Sequence, residues 1–135
     1  MITANLIFQL GKALDELDHC DCRVYDPLDI MVDQHTVLRP DVLIVCGKID
    51  KLYLDFPPSL VIEVLSPSTR HKDLTVKYDY YQSFGVNYYL IVDPEKDSII
   101  CYHLEEGMYM EMDGPGNLIL EEGCSISPDL DSIFL

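Results

Sequence analysis

Basic residues are scarce in this chain. Nine Lys and Arg stand against 24 Asp and Glu, a formal net charge of −15. That balance argues against a general affinity for nucleic acid, because phosphate contacts need clustered cations. Long apolar runs are also missing. None approaches the ~20 residues of a membrane-spanning helix, and no basic stretch followed by an apolar block and a cleavage site opens the chain. The reading is therefore cytoplasmic, with no membrane partner. The five Cys (20, 22, 46, 101 and 124) include no paired Cys-x-x-Cys knuckles. Cys20-Asp21-Cys22 beside His19 suggests metal, but a closed zinc site needs a second ligand pair, which the spacing does not offer. Free thiols in a reducing compartment are expected. Repeats, low-complexity tracts and linkers are absent too. A chain of 135 residues holds one hydrophobic core but not two, so a single domain over 1–135 is expected.

What is present is a globular pattern, 48% hydrophobic with nine Tyr. From Thr3 to about Leu17, Leu6, Leu10, Ala13, Leu14 and Leu17 recur at helical spacing among polar residues, the pattern of an amphipathic helix. Short β-like runs follow at Cys22–Tyr25 and Leu28–Val32. Val42–Cys46 and Leu60–Leu65 are rich in Val, Ile and Leu and bounded by Pro, Gly or Ser, which predicts buried strands. A second helix is predicted from about Asp73, a candidate N-cap, to Phe84, with Gly85 as its stop. Strands are predicted again at Tyr88–Val92, Ile99–His103, Met108–Met112 and Leu118–Leu120, with a helical turn near the C-terminus. Helix, strands, helix, strands is an α/β or α+β pattern with a mixed sheet.

Two carboxylates stand out against the apolar strands. Glu63 is the one ionisable residue within Leu60–Leu65, and Asp41 sits at the mouth of the preceding strand. A carboxylate in an apolar strand is costly unless it is paired or binds a cation. If the two strands are antiparallel neighbours with Cys46 opposite Leu60, Leu43 faces Glu63 and Asp41 lies diagonal to it on the same face. Diagonal Cβ atoms are about 7 Å apart, within reach of a shared cation; a one-residue slip would put the acids on opposite faces. On the second helix Leu74, Lys77, Tyr78, Tyr81 and Phe84 share one face, which directs Lys77 toward the strands. Two carboxylates and a lysine suit phosphodiester hydrolysis. Oxygen ligands hold Mg²⁺ or Mn²⁺, and an ammonium offsets charge developing in the transition state. Simpler roles fit the same residues: Asp41 capping a strand entrance, Glu63 in a structural ion pair with Arg39 or Lys77, and Lys77 reaching past the stripe to water. Six of the nine basic residues (Arg39, Lys48, Lys51, Arg70, Lys72 and Lys77) also fall in this stretch.

Pro40-Asp41, then Val61-Ile62-Glu63-Val64-Leu65-Ser66-Pro67-Ser68-Thr69, then Asp73 and Lys77, then Tyr81 and Gly85-Val86, then Tyr88 to Pro94, together resemble the Uma-type family of restriction-endonuclease-like proteins, within the PD-(D/E)XK nuclease superfamily. The likeness spans nearly the whole chain. It implies a restriction-endonuclease-like core with a central mixed sheet flanked by helices, and Mg²⁺-dependent (or Mn²⁺-dependent) cleavage of DNA, with Asp41 and Glu63 as metal and catalytic carboxylates. The superfamily's lysine two residues after the second acid is replaced by Leu65; in the Uma-type pattern its counterpart is Lys77. The family's N-terminal β segment, with an acidic residue and a His ahead of the first helix, has no counterpart here. That difference and the acidic balance leave a rival open: a non-catalytic nuclease-fold binding module, or a truncated relic. A homodimer is also left open.

Overall fold

The computed structural model describes residues 1–67 and 73–135, with Asp73 described by its backbone alone. The expected N-cap role of Asp73, and the residues Ser68 to Lys72, lie outside that description.

Helix α1 (Ile2–Asp15) is followed by strands β1 (Cys22–Tyr25), β2 (Ile30–Asp33), β3 (Thr36–Leu38), β4 (Val42–Cys46) and β5 (Leu60–Val64). A π-helical turn (Asp73–Lys77) runs directly into helix α2 (Tyr78–Phe84). Strands β6 (Tyr88–Asp93), β7 (Ser98–Glu105), β8 (Met108–Met112), β9 (Leu118–Glu121) and β10 (Cys124–Ile126) complete the sequence, with a 3-10 turn at Asp131–Phe134. Six strands form one sheet in the order β1-β4-β5-β6-β7-β8. Within it β5 and β6 are parallel, and the other neighbours are antiparallel. A parallel pair needs a crossover between its strands, which the π turn and α2 supply. The mixed sheet flanked by helices is the expected architecture.

Alternation along the central strands sorts the core into two halves. Val42, Ile44, Leu60, Ile62, Leu90 and Val92 face α1, whose Leu6, Leu10 and Leu14 are buried against them. Leu43, Val45, Val61, Tyr89 and Ile91 face the other side with Tyr81 of α2. Each fully buried Leu contributes about 1.5–3 kcal/mol of transfer free energy. The hairpin of β9 and β10 lies with the α1 half through Leu118, Leu120, Cys124 and Ile126. Gly85 ends α2 as expected: its φ of 98° is left-handed, and its N–H reaches the Tyr81 and Gln82 carbonyls. One expectation fails on this helix. Leu74 is 41% exposed rather than sheet-facing, because the wider π turn does not stack residues three apart as an α-helix does.

The expectation of five free thiols is also overturned. Cys20 is bonded to Cys124 and Cys22 to Cys46, and Cys101 on β7 is the free thiol, 1% exposed. Burial, aided by the Glu111 carboxylate, pushes the Cys101 thiol up to about 12. The thiolate is the reactive form, so at about pH 8 the folded chain is expected to leave Cys101 unlabelled by an alkylating reagent and to expose it only in denaturant. Mass spectrometry reads this directly; native-state labelling at the rate of a free thiol would contradict the burial.

Candidate active site

The β4–β5 ladder pairs Val42 with Ile62, Leu43 with Val61 and Ile44 with Leu60. The register is thus two residues away from the one assumed from sequence. A shift of two preserves the side-chain face, so the consequence is favourable. Continued by one residue, the register sets Asp41 straight across from Glu63 instead of diagonal to it. The Asp41 carboxylate is anchored to the neighbouring strand, where its Oδ2 accepts the Val64 N–H at 2.7 Å. Pro40, buried just before β4, leads the chain into this position.

Glu63 is 2% exposed. Among the described residues, the Lys77 ammonium at 3.0 Å and the Tyr81 hydroxyl at 2.7 Å meet its Oε2. The Lys77 side chain is itself only 15% exposed, so the ammonium is directed into the molecule and does not snorkel to water. Arg39, the other partner considered for Glu63, is 3.7 Å from Asp29 instead. Of the predicted trio, Lys77 and Glu63 are in direct contact, and Asp41, one residue before β4, is held by the amide of Val64, the residue after Glu63.

Tyr81 is the participant that the sequence did not reveal. It was visible as a member of the apolar stripe, but nothing in the spacing shows that its hydroxyl ends on the buried acid. A hydrogen bond to a charged group contributes about 1.5–3 kcal/mol. Tyr81→Phe is accordingly expected to lose stability of about that size in urea denaturation; a change below about 0.5 kcal/mol would mean that Glu63 does not depend on it.

What aims Lys77 and Tyr81 is the aromatic packing beneath α2. Tyr81 and Tyr89 meet edge to face at 5.1 Å, and Tyr78 packs at 5.1 Å on Tyr102 and 5.3 Å on Tyr109. The Tyr109 hydroxyl donates to the Val86 carbonyl and its backbone N–H to Gln82 Oε1, both at 2.7 Å. Burial raises the Tyr109 hydroxyl above the ordinary tyrosine range, with a further contribution from Tyr78, so it remains a donor. The helix is therefore locked to β6, β7 and β8, and the π turn at its start hands Lys77 to Glu63. Such π segments are frequent at functional sites.

The basic residues are less concentrated at the site than the sequence suggests. Lys48 and Lys51 follow the far end of β4, and Lys51 is engaged by Asp55 at 2.5 Å. Among the described residues, Arg39 and Lys77 lie at the Asp41 end, and Lys96 follows β6 at the same end of the sheet.

Residues 1–130 match the family model of Uma2, described as "Putative restriction endonuclease". The chain belongs to the Uma2 family. Among solved structures, a protein from Anabaena variabilis described as "a putative nuclease belonging to DUF820" superposes with a TM-score of 0.71 at 14% identity, covering 98% of this chain and 78% of that one. At that identity the likeness establishes the fold. No curated protein matches the chain. The Uma2 assignment agrees with the resemblance carried by Asp41, Glu63, Lys77 and the blocks around them. No helix among the described residues is long and apolar enough to cross a membrane.

Proposed function

We propose that this Uma2 protein is a divalent-metal-dependent DNA endonuclease whose working groups are Asp41, Glu63 and Lys77. The observation that carries the reading is a carboxylate at 2% exposure in a central strand, met by a helix-borne ammonium at 3.0 Å, with the Asp41 carboxylate held on the amide of the next residue along that strand. The donor chemistry fits a hard cation: two carboxylates supply oxygen ligands suited to Mg²⁺ or Mn²⁺. Each carboxylate offers about four acceptor directions, so Lys77 and Tyr81 on Oε2 of Glu63, and the Val64 amide on Oδ2 of Asp41, orient the acids as ligand-supporting hydrogen bonds do. When bound, the ion would polarise the scissile phosphate and lower the pKa of a coordinated water.

The protein's own groups then have distinct tasks. Lys77 offsets negative charge growing on the phosphate oxygens in the transition state, and it is preorganised because its side chain is largely buried and held on Glu63. Tyr81 fixes the Glu63 carboxylate. Asp41, held to β5, closes the site from β4. The net charge of −15 implies weak DNA binding without the cation.

Supercoiled plasmid incubated with the purified chain is the direct test. Nicked circles should form with Mg²⁺ or Mn²⁺ and be abolished by a chelator. A non-catalytic module, favoured by the acidic balance, predicts no nicking and no heat of binding when millimolar metal is titrated into folded protein. That pair of negatives would overturn the endonuclease reading.

A further inference from the structure

On the sheet face opposite Glu63, four cysteines from separate parts of the chain come together. Cys20 lies in the connection after α1, Cys22 opens β1, Cys46 closes β4 directly across the ladder from Cys22, and Cys124 opens β10. The two disulfides are not independent. Sγ of Cys124 lies 3.5 Å from Sγ of Cys22, a sulfur of the other pair, and Oε2 of Glu121 lies 3.4 Å from that same Cys22 sulfur. One donor atom each from Cys20, Cys22, Glu121 and Cys124 all fall within 4.8 Å of one another. Disulfide bonding accounts for closeness inside each pair. It does not require the pairs to converge, or a carboxylate to join them. Four donors around one ion do: with zinc–sulfur bonds of about 2.3 Å, the edge of a tetrahedron is about 3.8 Å.

We propose that the reduced chain binds one soft divalent ion of the zinc class through Cys20, Cys22, Cys124 and Glu121. Thiolates select zinc over the hard cations suited to the Asp41–Glu63 side of the sheet. Cys22 and Cys124 are buried, whereas Cys20 is half-buried and Glu121 exposed, so the ion has an approach from solvent. The paired state is the metal-free counterpart. Exchange with a small-molecule disulfide, which leaves as two equivalents of its thiol for each bond formed, joins Cys20 to Cys124 and Cys22 to Cys46 and withdraws all three thiolates. A dithiol reductant reverses this, giving two electrons and two protons to each disulfide and leaving as its own disulfide. Metal binding then releases the three thiol protons to solvent. Cys46 acts as the oxidation partner of Cys22 and not as a ligand.

The test uses the full chain reduced with a dithiol, stripped with a chelator and titrated anaerobically with Co²⁺, then Zn²⁺. One Co²⁺ per chain with a sulfur-to-cobalt charge-transfer band, displaced by Zn²⁺, is expected. The oxidised chain should show none. Cys20→Ser and Cys124→Ser should lose the band, Cys46→Ser and Cys101→Ser should keep it, and Glu121→Gln should bind about tenfold or more weakly. If reduction unfolds the chain, Zn²⁺ should restore the near-ultraviolet circular dichroism. Absence of the band in reduced, folded protein, failure of Zn²⁺ to refold an unfolded one, or undiminished binding in Cys20→Ser and Cys124→Ser would each overturn the proposal. None of these readouts depends on DNA cleavage.

Discussion

Asp41→Asn and Glu63→Gln are each expected to lower metal-dependent DNA cleavage by at least about a hundredfold, the size seen when one group of a preorganised charged site is lost. The two substitutions are nearly isosteric, so the fold should persist; circular dichroism and urea unfolding check that. They should also differ in their side effects. Asp41 is partly exposed and accepts one backbone amide, so its amide variant alters stability little. Glu63→Gln removes a negative partner of Lys77 in a buried setting and should cost more. Their combined loss of activity should be less than the product of the single losses, because groups acting on one ion behave as a unit. Parent-level nicking in both variants would remove these acids from the mechanism, whatever the family membership.

Lys77→Met carries the largest expected effect on stability. It leaves the Glu63 carboxylate without its ammonium at a position 2% exposed, a change that destabilises by about 3–5 kcal/mol. Two follow-up measurements give this figure a meaning. Pairing it with Glu63→Gln should restore much of the stability, since the buried carboxylate that lost the Lys77 ammonium is then gone, and the double-mutant cycle isolates the coupling. Adding Mg²⁺ or Mn²⁺ to Lys77→Met should also stabilise it if the acids hold a cation, by about 2.7 kcal/mol at a hundred times Kd. Thermal shifts with and without a chelator read the difference. A Lys77→Met protein as stable as the parent would show that the ion pair is dispensable. One insensitive to metal would make Glu63 and Lys77 a structural pair only.

The legible parts of this molecule are those with a short-range cause. The Val, Ile and Leu runs at 42–46 and 60–64, the glycine that ends α2 and the amphipathic first helix follow from local pattern. Glu63 and Lys77 were visible because each interrupts an apolar stretch. The exact alignment of β4 on β5 was not, because the long connection between them leaves the pairing unfixed. The error of two residues did no harm, since parity decides the face. The Tyr81 hydroxyl was hidden because its ring already accounted for its place on the helix. Convergence of Cys20, Cys22, Cys46 and Cys124 was invisible for a different reason. Ligand-spacing rules count along the chain, and this cluster is assembled by the sheet and by β10, a three-residue strand too short to register as a pattern. The π turn left no signature that distinguishes it from an ordinary first turn, yet it sets which residues of that helix face inward.

The same-direction pairing of β5 with β6 has a kinetic consequence. Strands β5 and β6 can align only after the segment between Val64 and Tyr88 has doubled back, and such long-range closure is slow compared with hairpin formation. Until then Glu63 remains hydrated in the nascent chain, so its transfer out of water is deferred to a late step of folding. Perturbations at Lys77 should therefore speed unfolding more than they slow refolding.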